Sequence, residues 1–93
     1  MSHYRHTLDE LAELADEAVS WFASNPEENT ALYIVGPSGS GKSRLADMIE
    51  QKRPGTDVVH EEPIQRRIKP CVPTVICVYT QPRVVFFHGK IYL

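Results

Sequence analysis

Residues 36 to 43 read Gly-Pro-Ser-Gly-Ser-Gly-Lys-Ser, with Gly36, Gly41, Lys42 and Ser43 at the spacing G-x-x-x-x-G-K-[ST]. Each residue type suits one part of holding a polyphosphate. Glycines at 36, 39 and 41 free the backbone to take positive φ and curl closely around an anion. The curled segment, which runs through Pro37, Ser38 and Ser40, points the N–H groups of its non-proline residues inward and makes an anion-binding nest. A helix opening at Lys42-Ser43-Arg44 adds its positive end to the same spot. Lys42 brings a mobile point charge able to reach terminal phosphates. The Ser43 hydroxyl is the oxygen expected to ligate Mg²⁺, which keeps waters and phosphate oxygens as its other ligands. The expected cofactor-binding set is therefore the whole run Gly36, Pro37, Ser38, Gly39, Ser40, Gly41, Lys42, Ser43 and Arg44. A Gly/Ser-rich turn with a solvated lysine would show the same composition, but the flanks argue against it.

Those flanks are the elements that must position the loop. Ahead of it, Ala31-Leu32-Tyr33-Ile34-Val35 has the length and apolarity of a buried strand. Behind it, Leu45, Ala46, Met48 and Ile49 fall on one face of a helix spanning about 42 to 53, stopped by Pro54-Gly55. Further upstream, Thr7-Leu8-Asp9-Glu10 is a capping-box pattern. Leu8, Leu11, Ala15, Ala18 and Phe22 then repeat at helical spacing, predicting an amphipathic helix over 8–24 closed by Asn25-Pro26. Trp21 lies off the centre of that stripe. Downstream, strands are predicted at 57–60, 74–79, 83–88 and 91–93. The 13 residues between His60 and Thr74 just allow a parallel crossover. Only Thr80, Gln81 and Pro82 separate the next pair, so those two strands are expected to form an antiparallel hairpin. Gly89-Lys90 reads as the turn of a second one. The expected fold class is α/β: a minimal domain with two main helices and a small mixed sheet, finished by an antiparallel C-terminal meander.

A chain of 93 residues forms one domain, with residues 1–6 loose. At this length roughly two thirds of the extended-chain surface is buried, so the stability margin is thin. The net charge of −2 gives no general attraction to nucleic acid or acidic lipid. Contact with nucleic acid would have to use the short basic cluster Arg66, Arg67 and Lys69, which reads first as a solvated turn. Cys71 and Cys77 fit no zinc spacing, and His3, His6, His60 and His88 do not complete one. No signal peptide is visible, and no apolar run approaches the ~20 residues of a membrane span. A cytoplasmic protein with reduced thiols is expected.

Strand, G-x-x-x-x-G-K-S and helix together resemble the P-loop NTPase superfamily. A helix before the first strand, followed by Gly36 to Ala46, is similar to AAA+ ATPases and to the superfamily 3 helicases of small viruses and plasmids. The resemblance implies a nucleoside triphosphate as ligand, ATP by default or GTP, together with Mg²⁺. It also implies a small ATPase tied to viral or plasmid nucleic-acid processes, working in the cytoplasm, including that of an infected host cell. The strand 74–79 running into Thr80-Gln81-Pro82 resembles the sensor strand of those families, where a polar residue at the tip orients the attacking water. Thr80 or Gln81 would take that part here.

The departures are specific. A Walker B segment would be an apolar run ending in Asp-Asp or Asp-Glu, and the nearest stretch is Val58-Val59-His60-Glu61-Glu62. By the resemblance Glu61 would hold Mg²⁺ through water and Glu62 would polarise the nucleophilic water; both also read as exposed turn residues. Arg66, Arg67 and Arg83 are the candidates to stabilise charge on a transferred phosphate. Helicase cores are much longer than this chain and carry helices between strands that it lacks. Two other readings therefore stay open: a non-hydrolysing module that docks on a larger protein, and a small phosphotransferase or kinase. A thin core and apolar strands also predict a homo-oligomer or a larger protein partner.

Overall fold

Thr7 opens the first helix, α1 (Leu8–Ser24), through a reciprocal pair of hydrogen bonds. The Glu10 N–H donates to Thr7 Oγ1 at 3.1 Å, and the Thr7 N–H donates to Glu10 Oε1 at 2.7 Å. Those contacts hold the Glu10 carboxyl below its ordinary pKa, the backbone bond contributing most. The computed structural model describes residues 6–26, 30–60, 72–79 and 88–93. The other elements are β1 (Ala31–Val35), α2 (Lys42–Lys52), β2 (Asp57–His60), β3 (Thr74–Val78) and β4 (His88–Tyr92). None of the described helices is long and apolar enough to cross a membrane.

Both helices lie on one face of the sheet. Leu11, Ala15, Ala18 and Phe22 of α1 meet Leu45, Ala46 and Ile49 of α2 over Leu32, Ile34, Val75 and Cys77. Burying a side chain such as Phe22, Ile34, Leu45 or Ile49 is worth about 1.5–3 kcal/mol each. Leu8, expected in the apolar stripe of α1, is instead exposed; the buried stripe begins at Leu11. An ion pair between Asp16 and Lys52, 2.9 Å apart and solvent-exposed, links the helices and contributes at most about 1 kcal/mol. The opposite face gathers Ala31, Tyr33, Val35 and Ile76 in a smaller cluster. Burial there pushes the Tyr33 phenol pKa up.

The sheet order is β2-β3-β1-β4, and all three pairings are parallel. The architecture is α/β with two main helices, as the periodicity predicts, but the mixed sheet and antiparallel meander are not what forms. β3 is hydrogen-bonded to β2 on one edge and to β1 on the other. No edge of β3 is left for an antiparallel partner, so the following chain pairs with the far edge of β1. The ten peptide steps from Val78 to His88 can reach about 30 Å. Two inter-strand steps and one strand length need only ~20 Å. Residues 83–87, expected as a strand, lie outside the described residues.

Gly89 and Lys90 are inside β4 rather than in a turn. A Cβ on Gly89 would come within 2.8 Å of the Trp21 indole. The glycine therefore lets α1 close on the sheet, and its turn propensity is overridden by packing. Trp21 is accordingly half-buried, edge-on to Phe22 with ring centroids 5.2 Å apart.

Candidate functional site

β1 delivers the chain to the loop at the carboxyl end of the sheet, where parallel α/β sheets carry their ligands. The Gly36 N–H donates to Val78 O at 3.1 Å, and the Leu93 N–H donates to Val35 O at 2.8 Å. The loop thus starts from a fixed point between β3 and the segment after β4. A Cβ on Gly36 would stand 2.8 Å from Ser40 Oγ and 3.1 Å from Leu93 O. Positive φ is confined to Gly39 (80°) and Gly41 (103°) within the loop. Gly36 is therefore required for space, not for a left-handed backbone as its type suggested.

From Gly36 the chain turns through Pro37–Ser40, closed by the Ser40 N–H donating to Pro37 O at 3.2 Å. Gly41 then begins α2 in the left-handed region, with no side chain capping the helix. The first intrahelical bond in place is Leu45 N–H to Gly41 O, at 2.9 Å. The Ser43 and Arg44 amides ahead of it have no partner within the helix. Ser40 is 3% exposed, and its buried hydroxyl has no hydrogen-bond partner among the described residues. A buried, unsatisfied oxygen of this kind costs about 1–3 kcal/mol.

Lys42 is not the mobile, solvated charge that its place in an exposed loop suggests. It is 5% exposed, and its ammonium donates to Gly36 O at 2.8 Å and to Pro37 O at 3.0 Å. The Tyr79 ring stands 4.8 Å from the same nitrogen. Beneath it, Cys77 Sγ lies 3.8 Å from Lys42 O, tying the start of α2 to β3. A lysine in the first turn of a helix opposes the dipole, and α2 has no acidic residue there to offset it. The fold therefore concentrates positive potential at the start of α2, with no acidic residue in that first turn.

That place opens on a cavity of about 450 Å³. Ser38 to Arg44 line it, joined by Asp47 one helical turn after Ser43, and by His6 and Leu11 from the start of α1. Seven of the nine residues expected to bind a cofactor are at the wall: Ser38, Gly39, Ser40, Gly41, Lys42, Ser43 and Arg44. Gly36 and Pro37 act from behind, as the acceptors that hold Lys42. Asp47, His6, Leu11 and Tyr79 were not singled out from sequence. Asp47 had a signal, since it follows Ser43 by four residues on a helix. Tyr79 had one too, continuing the helix-side alternation of Val75 and Cys77. His6 and Leu11 had none, because only the packing of α1 against the loop brings them in.

Glu61 and Glu62, Thr80 and Gln81, and Arg66, Arg67 and Arg83 lie outside the described residues. β2 ends at His60, two inter-strand steps or roughly 10 Å from β1. Among the described residues no group of three or more His, Cys, Asp or Glu side chains is placed to hold a metal. Ser43, exposed at the cavity beside Lys42, fits a Mg²⁺ that arrives on a polyphosphate, because such an ion takes only one or two protein ligands. No family model, no curated protein and no solved structure matches this chain.

Proposed function

We propose that this chain binds a nucleoside triphosphate, ATP by default, as its Mg²⁺ complex on the Gly36–Ser43 loop, and is a strongly reduced member of the P-loop NTPases. The observation that carries this reading is the convergence, at one cavity wall, of an uncapped helix N-terminus and a buried ammonium held on loop carbonyls. Neither is favourable for the isolated helix, and both are complementary to an anion. The unsatisfied Ser40 hydroxyl supports the same reading, since a loop that shifts around a ligand gains a partner for it.

In this reading the backbone amides after Gly39 and the Lys42 ammonium bind the β- and γ-phosphates. Ser43 Oγ would hold the Mg²⁺, which would supply neutralising charge to the phosphate oxygens. Glu61 remains the proposed second, water-mediated metal contact. Turnover, if it accompanies binding, is assigned to Glu62 with Thr80 or Gln81. Self-association or docking on a larger protein belongs to the same proposal.

Titration calorimetry with ATP, GTP and inorganic tripolyphosphate, in Mg²⁺ and in EDTA, tests it. Saturable binding that weakens in EDTA is the expected result, followed by a phosphate-release assay on the same sample. Absence of binding by all three ligands under both conditions would remove the reading.

A further inference from the structure

The geometry points to Tyr79 as a positioning residue for Lys42: its ring face holds the ammonium at the loop's start and shields it from water. This rests on the polyphosphate reading for its functional consequence, but not for the contact itself. Pro37, Ser38 and Gly39, the crown of the same loop, are exposed, whereas Lys42 is 5% exposed. The lysine is drawn inward by the carbonyls of Gly36 and Pro37 at 2.8 and 3.0 Å. The Tyr79 ring stands over that ammonium at 4.8 Å, within the range at which an aromatic quadrupole attracts a cation.

The placement of Tyr79 follows from the sheet. Val75 and Cys77 of β3 face the helices, and Ile76 packs on the other side. The next residue on the helix side after Cys77 is Tyr79, one step past the end of β3 and beside Gly36, whose N–H is bound to Val78 O. Because β3 is the direct neighbour of β1, the ring arrives over the loop rather than at a sheet edge. Tyr79 is itself 52% exposed, so its position is not demanded by core packing.

Two consequences follow for the bound anion. An ammonium kept near one position loses less freedom when phosphate oxygens join the carbonyls around it. Shielding from water also strengthens its attraction to those oxygens. Both effects belong to the ring face, so phenylalanine should serve in place of tyrosine, whereas leucine should not.

The test compares wild type, Tyr79→Phe and Tyr79→Leu in two measurements on the full chain. The first is the rate of Lys42 acetylation by an amine-directed reagent without ligand, read by peptide mass spectrometry with the exposed Lys52 as internal reference. The second is the affinity for inorganic tripolyphosphate. Tyr79→Leu should raise the Lys42 labelling rate and weaken tripolyphosphate binding, each by about 2- to 30-fold, the range a cation–π contact covers. Tyr79→Phe should leave both near wild type. Unchanged Lys42 labelling in Tyr79→Leu, or equal damage in both variants, overturns the positioning role. If wild type binds neither tripolyphosphate nor ATP or GTP, the polyphosphate reading fails separately, and the labelling rates alone decide whether Tyr79 holds Lys42.

Discussion

The two helices of this protein begin in opposite ways. α1 starts at Thr7 with a side-chain cap, a reciprocal bond from Glu10, and two acidic residues in its first turn. Two of its orphan amides, those of Thr7 and Glu10, are partnered, and its dipole is offset by charge of the right sign. α2 starts at a left-handed glycine with no side-chain cap, no acid in its first turn, and Lys42 and Arg44 in place of one. One end is closed by its own sequence; the other has no side-chain cap and no acid in its first turn. Local rules that hold at one helix and fail at its neighbour mark a place where something other than folding set the residues. The difference teaches where a ligand would complete the molecule, because an anion at α2 would supply what Thr7, Asp9 and Glu10 supply at α1.

Replacing Lys42 by alanine should break this contrast most severely. Tripolyphosphate or ATP affinity is expected to fall on the order of 100-fold, the loss of a charge-assisted contact to phosphate. Because the ammonium also satisfies Gly36 O and Pro37 O, the variant should lose about 1–3 kcal/mol of stability as well. Calorimetry and urea unfolding separate the two effects, and undiminished affinity would show that α2 is open for another reason.

Gly41→Asp gives α2 the kind of carboxylate that α1 already has. Aspartate tolerates the left-handed region better than most residues, so the fold should survive with a cost of about 1 kcal/mol. The added negative charge at the helix start should weaken anion binding by about tenfold. Binding equal to wild type, in a variant that circular dichroism shows to be folded, would contradict the role given to the α2 terminus.

At the other helix, Thr7→Ala should cost about 1 kcal/mol of stability and leave anion affinity unchanged. Its pH signature has a definite sign. The Glu10 pKa is lowered in the folded chain, so its contribution is present above the ordinary glutamate pKa. That contribution is lost as pH falls through the folded value. Thermal melts from neutral pH into the acid range should therefore converge for wild type and Glu10→Gln, because the carboxylate that accepts from the Thr7 N–H is protonated there; a gap that stays constant to the lowest pH would detach Glu10 from the cap.

Much of the α/β framework was legible because its signals are local. The capping box, the stripe from Leu11 to Phe22, the apolar run 31–35 and the glycine-lysine spacing each lie within one short stretch of chain. Leu8 shows the limit even there, since helical spacing cannot say which end of a stripe reaches the core. The C-terminal strands were misread because a short connection and a glycine are turn signals only when a strand edge is free to receive the turn. β3 has both edges occupied, and Gly89 is spent on making room for Trp21. In the site, residue types named the loop but not its mechanics: Gly36 serves space, and Lys42 is buried.

By itself, then, the sequence determined which segments from α1 to β3 become helix or strand, where the loop falls, and that its residues suit an anion, because backbone propensity and side-chain chemistry act over a few residues. Only the tertiary structure decided that β3 lies beside β1 and sends Tyr79 over Lys42, that α1 brings His6 and Leu11 to the cavity, and that every described strand pairing is parallel. Those outcomes depend on which edges and faces are already filled when distant segments meet, and spacing along the chain carries no record of that competition.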